Sequence, residues 1–199
     1  GGPAGVRRMA AGISLGGPRG LRGRIGPLGD PKGAARLFPR RGPKARRDML
    51  NEVSLRILQL SAQGYGCSQV LMQLALEARG EDNPGLVRAM AGLEYGCGGG
   101  RATCGALTAA CCVLALYAGG EGAAGASERL PLMLQTLSDW FEERVGGAHG
   151  GITCGVIVGQ EGPAAARQRC GAIVADTHCR LLEILAENGL DPSGGSLDP

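Results

Sequence analysis

CGGGRATCGALTAACC, running from Cys97 to Cys112, holds four of the chain's eight cysteines. It begins as a glycine loop and ends as a run of small apolar residues without proline. Read on through VLALYAGG, the stretch 101–120 predicts a helix whose surface is mostly alanine, leucine and cysteine. Such a helix can approach its neighbours closely. The whole chain has the same texture, with 44% hydrophobic residues, only 3% aromatic ones and 37 glycines in 199 positions. Few large side chains and many breaks point to packed helices with glycine-rich joints.

Working outward, the helical period recurs on both sides. Leu50, Val53, Ile57 and Leu60 lie at helical spacing in MLNEVSLRILQLSAQ. GYG breaks that helix, and CSQVLMQLALEARG forms the next. EDNP marks a turn before GLVRAMAGLE. Beyond residue 120, a helix follows in ASERLPLMLQTLSDWFEERVGG, with Ser127 as its expected N-cap, and GGAHGG breaks it. The last helix lies in about 161–189, with Pro163 in its first turn and Gly189 beyond its end. No internal repeat and no alternating strand pattern is evident. The expected fold is all-α, a single bundle of five or six helices over residues 49–189, with a loose tail over 190–199.

Residues 1–48 differ. They hold twelve glycines and six of the eleven prolines, so the expectation is a disordered arm. Residues 1–47 carry twelve Arg or Lys and one acid, Asp30. The rest of the chain is mildly acidic, which argues against nucleic-acid binding by the helical domain. VRRMAAGISLGGP has the twin arginines of an export signal, but Pro18 and glycines cut its apolar run short. A disordered extension, or translation upstream of Met49, is the preferred account of the arm over an export or organelle signal. The most apolar stretch, TAACCVLALYAGG, is too short to span a bilayer.

The cysteines divide by position. Cys67, Cys104 and Cys154 each follow a glycine break and stand near a helix start. Free backbone N–H groups and the helix dipole there favour a thiolate, the form that attacks disulfides or ligates metal. Cys170, early in the last helix, is the fourth candidate, and Cys97 in the glycine loop is an alternate. Cys104 and Cys111, seven residues apart, are separated by about 10 Å along a helix, beyond disulfide reach. Cys111, Cys112 and Cys179 are expected to be packing residues. His149, ahead of Cys154, reads as a loop residue, and His178 as a surface one. GCGGGRATCG has neither the preceding strand nor the GK[ST] of a phosphate loop.

With these residues in view, the chain resembles the redox-active family labelled C_GCAxxG_C_C. The resemblance rests on Cys67 in GYGCSQ, Cys104-Gly105-Ala106 in CGALTA, Cys154 in ITCGV and Cys170 in RQRCG, and covers roughly Met49 to Glu187. Ala109 stands where the CGAxxG signature has its second glycine. The resemblance implies a helical protein of redox function. The domain is also similar to the helical part of split-Soret cytochromes, which implies an iron–sulfur cluster. The chain has no C-x-x-C-H, so c-type haem is not expected.

Three functions follow, in order. The first is electron transfer or redox sensing through an iron–sulfur cluster ligated by Cys67, Cys104, Cys154 and Cys170, with Cys97 as alternate. The second is metal-free thiol–disulfide exchange, with Cys104 as the attacking thiolate and Cys67 or Cys154 resolving. The third is a structural zinc site in a helical interaction module; close ligand pairs, usual for zinc, are missing. An undefined redox partner protein is implied, and a homodimer is open. So many thiols favour a cytoplasmic, reducing location.

Overall fold

The computed structural model describes residues 43–120 and 128–193, with side chains from residue 51 onward. Within them the architecture is all-α. Five helices of twelve residues or more carry it: α1 (Pro43–Ala62), α2 (Cys67–Arg79), α4 (Gly105–Ala118), α5 (Leu130–Phe141) and α7 (Arg167–Glu187). Two short ones, α3 (Pro84–Met90) and α6 (Cys154–Val158), fill the joints. Among the described residues no helix is long and apolar enough to cross a membrane.

Helix α4 is central. Ala106, Ala109, Ala110, Val113 and Leu114 are all essentially without solvent contact. Their small side chains let α2 settle against α4, and α5 and α7 pack on it from other sides. Larger residues close the core, among them Leu71, Leu76, Leu137, Phe141, Ile184 and Leu185. Helix α1 turns Ile57 and Leu60 inward, with Val53 partly covered, as its spacing predicts. Asn83 caps α3, its side-chain oxygen accepting from the Leu86 N–H at 3.0 Å, with Pro84 in the first turn.

Several boundaries differ from expectation. Helix α1 starts at Pro43, so residues 43–48, assigned to the arm, are helical; proline is well suited to a first helical turn. The arm up to residue 42 lies outside the described residues, as do Leu50's side chain and Ser127. Helix α5 continues through a wider turn, Glu142–Gly146, and a last turn, Gly147–His149, before Gly150 ends it with φ 81°. The last helix is interrupted: Gly162–Ala165 makes one turn, and α7 proper begins at Arg167. Part of the expected loose tail is tied down. The Tyr117 hydroxyl donates to the Pro192 carbonyl at 2.6 Å, and the Leu190 N–H donates to the Leu185 carbonyl at 2.9 Å.

His178, expected at the surface, is buried at 7% exposure, and burial lowers its pKa to about 4. The reason is crowding. Helix α7 is flanked by α1, α2, α4 and α5, so even a polar position midway along it is covered. Cys179, next to it, is buried as expected.

Candidate redox site

Helix α2 opens on Cys67, after the extended Gly66. Across from it lies the coil 94–104. Tyr95, Gly96, Cys97, Gly98 and Gly100 all have φ between 50° and 82°, a conformation costly for the two that are not glycine. The coil ends by pairing with residues ahead of α6. Thr103 and Thr153 form an isolated antiparallel bridge. The Cys104 N–H donates to the Ile152 carbonyl at 2.9 Å, and the Cys154 N–H donates to the Ala102 carbonyl at 3.0 Å. A Thr-Cys-Gly tripeptide stands on each side of this bridge. Helix α4 begins just after Cys104 and α6 begins at Cys154. The expected helix from residue 101 is therefore four residues shorter at its start, because the backbone of 102–104 is used in pairing.

The glycine after each of these cysteines is there for contact. A Cβ on Gly105 would lie 2.9 Å from the Cys67 Sγ and 2.7 Å from the Leu93 carbonyl oxygen. A Cβ on Gly155 would lie 2.9 Å from the Gly100 carbonyl oxygen. Gly96 passes close to Cys154, where an added Cβ would come within 3.0 Å of the Cys154 Cβ. Cys170, in the first turn of α7, completes the group. It packs with Tyr95, Cys154, Val158 and Ala166 in a small cluster apart from the main core.

Four of the sequence's candidates therefore meet. Cys67 is influenced by Cys104 and Cys154, Cys104 by Cys170, and Cys154 by both Cys104 and Cys170. Cys67, Cys154 and Cys170 also border a cavity of about 400 Å³. Cys104 lies behind it at 6% exposure. The alternate, Cys97, is exposed on the coil and is not part of the cavity wall. His149 does not border it either.

The thiols are held protonated, contrary to the helix-start argument. Burial, then the neighbouring Cys104, pushes the Cys67 pKa up to about 12. Burial likewise raises Cys154 to about 11, and raises Cys104 and Cys170. The helix-start effect exists but loses. Backbone N–H groups of Ala106 and Leu107 pull Cys104 down, those of Tyr95 and Ser68 pull Cys67 down, and Arg169 pulls Cys170 down. Removing a thiolate from water costs more than these donors return. Cys104 and Cys154 are also diagonal across their bridge. In regular pairing that spaces Cα atoms by about 7–8 Å, beyond the roughly 4.4–6.8 Å of a disulfide. None of the eight cysteines is in a disulfide. Among the described residues no group of three or more His, Cys, Asp or Glu is arranged to hold a metal ion.

Residues 65–184 match the family described as "Putative redox-active protein (C_GCAxxG_C_C)", more than half of the 199-residue chain. The chain belongs to this family. Comparison with curated proteins and with solved structures returned no match. The C_GCAxxG_C_C region contains all four grouped cysteines and runs from the end of the α1–α2 joint nearly to the end of α7. The CGALTA segment, Cys104–Ala109, covers the start of α4. Ala109, in place of the second glycine, has 0% exposure and sits in the main core, not on the cavity. Its methyl group fills a helix interface and takes no space from the thiols.

Accessibility makes a prediction for this site. Iodoacetamide applied to the native, metal-free protein should label Cys97 first. Cys67, Cys104, Cys154 and Cys179 should follow at least about tenfold more slowly, since alkylation needs access and a thiolate. Mass spectrometry of the cysteine peptides over time reads the order. Equal rates for Cys97 and Cys67 would contradict the burial described here.

Proposed function

We propose that this redox-active family member carries electrons through an iron–sulfur cluster held by Cys67, Cys104, Cys154 and Cys170. The observation that carries the reading is the convergence of these four thiols from four separate helix starts. Thiolates from separate segments are the usual ligands of such clusters. A cluster spreads its four ligands over two or more irons, so the thiols need not crowd one point as they would around a single zinc ion. The cluster would supply one-electron uptake and release. The chain's own residues would fix the four sulfurs, exclude water from Cys104, and direct backbone N–H groups at Cys67 and Cys104.

The protonated state of the thiols weighs against metal-free exchange. A thiol with a pKa near 11 or 12 is almost wholly unreactive at neutral pH. The diagonal placement of Cys104 and Cys154 weighs the same way. A metal centre overcomes such pKa values because ligation expels the protons. The number of free thiols supports a reducing, cytoplasmic compartment.

The test uses protein purified without oxygen, assayed for iron, acid-labile sulfide, zinc and free thiols. The expected result is a brown protein with matched iron and sulfide, reduced to under about a tenth in Cys104→Ser and retained in Cys179→Ser. Colourless protein without iron would overturn the proposal. Zinc alone would indicate a structural site, and reversible loss of two thiols on oxidation would indicate dithiol chemistry.

A further inference from the structure

The cavity beside the thiols carries more than sulfur. At about 400 Å³ it falls in the size class of small-molecule sites. Two opposite charges stand on its wall. Glu94, at the start of the left-handed coil, lies against the glycine that precedes α2: a Cβ on Gly66 would collide with the Glu94 carboxyl group. Arg167 is the first residue of α7. Both side chains are exposed to solvent. Neither joins any of the ion pairs formed among the described residues, although Arg169, two positions on, pairs with Glu161. The rest of the wall is largely apolar, including Ile57, Val70 and Val174.

We infer that this cavity binds a small zwitterion of the α-amino-acid type, its ammonium group on Glu94, its carboxylate on Arg167 and its tail toward the cysteines. A simple anion would be opposed by Glu94 and a simple cation by Arg167. A ligand with both charges satisfies both and gains two charge-assisted hydrogen bonds. An apolar or sulfur-bearing tail suits the wall. The inference rests on reading the grouped cysteines as the working centre, which such a ligand would adjoin, but its test does not depend on a cluster.

The full chain is titrated with methionine to about 20 mM, followed by calorimetry or NMR, because a ligand so small and solvent-exposed at its head has an expected Kd of roughly a millimolar. Methionine neither reduces nor oxidises thiols, so binding is read apart from redox chemistry. Saturable binding is expected, weakened at least about fivefold in Arg167→Ala and in Glu94→Gln. The amine-only 3-(methylthio)propylamine and the carboxylate-only 4-(methylthio)butanoate should bind correspondingly less well. Both substituted side chains are exposed, so the variants should fold; circular dichroism checks this. No saturable binding, one-headed analogues equal to methionine, or unaffected variants would each overturn the inference. Iron and sulfide are assayed on the same samples. Binding without a cluster sinks the cluster proposal alone, and a cluster without binding sinks this inference alone.

Discussion

Gly105→Ala is expected to disable the site with a single methyl group. The added Cβ would lie 2.7 Å from a backbone oxygen, that of Leu93, and 2.9 Å from the Cys67 Sγ. Neither neighbour is the loose end of a long side chain. Leu93 sits in a 3-10 turn (Ala91–Leu93), and Cys67 is fixed at the start of α2. Something must shift, and the shift separates Cys67 from Cys104. Overpacking of this kind costs about 1–3 kcal/mol, so the melting temperature should fall by roughly 3–9 °C. On the proposed cluster reading, the loss of iron and sulfide should be larger in proportion, because ligand geometry is less forgiving than a hydrophobic contact. Gly99→Ala is the control. It lies in the same coil, lacks a positive φ, and its added Cβ meets nothing within 4 Å. It should melt and load as the parent does. Equal iron content in Gly105→Ala and the parent would mean that contact between Cys67 and the start of α4 is not needed to assemble the centre.

How much of this site was legible in the sequence depends on which kind of signal each part leaves. The helices announce themselves through spacing. Val53, Ile57 and Leu60 in α1, and Val70, Leu71 and Leu74 in α2, repeat at helical intervals, and the structure covers them accordingly. The grouped cysteines are visible through their glycine neighbours and the family signature. Pairing between Thr103 and Thr153 is not, because a single bridge between segments fifty residues apart leaves no alternation to detect. One signal was present all the same: Thr-Cys-Gly occurs at 103–105 and again at 153–155. Two copies of a tripeptide, each opening a helix, are what a pair of equivalent strands at a shared site looks like.

The sign of the thiol pKa shifts is hidden from the sequence for a different reason. Helix-start donors are local and can be read from the sequence. Their effect at Cys104, through Ala106 and Leu107, is as expected. Desolvation depends on what packs over the sulfur, here Gly105 on Cys67 and the bridge over Cys104, all long-range consequences of the fold. The burial of His178 is hidden likewise: its neighbours along α7 say little about the helices that close around it. Cys97 shows the converse. It shares the coil with Tyr95 and Gly96, which touch the site, yet it stays exposed, so proximity in sequence did not bring it to the cavity.

The buried thiols should also make the metal-free protein sensitive to alkali. In the folded chain Cys67 is pushed to about 12 from an ordinary value of 9.0. Unfolding returns it to that ordinary value. Below about pH 9 the thiol is protonated in both states, and its contribution to stability is complete. Above it, the unfolded chain releases the proton while the folded chain keeps it, so stability falls with rising pH until the folded thiol also ionises near pH 12. Three units at about 1.4 kcal/mol each make the loss about 4 kcal/mol across that window. Cys154 adds a loss of the same sign, and since Cys154 also raises Cys67 their effects should not simply add. Tyrosine, lysine and arginine titrate in the same range, so the informative quantity is a difference. The measurement is urea unfolding of metal-free protein from pH 8 to 11.5, beside Cys67→Ala. The parent should lose several kcal/mol more than the variant over that range, with the gap opening only above pH 9. Parallel curves would mean that the Cys67 thiol ionises in the folded protein as easily as in the unfolded chain. A parent that instead gained stability relative to the variant between pH 8 and 9 would mean the opposite of burial: a thiolate favoured in the folded chain, and with it a nucleophile fit for disulfide exchange.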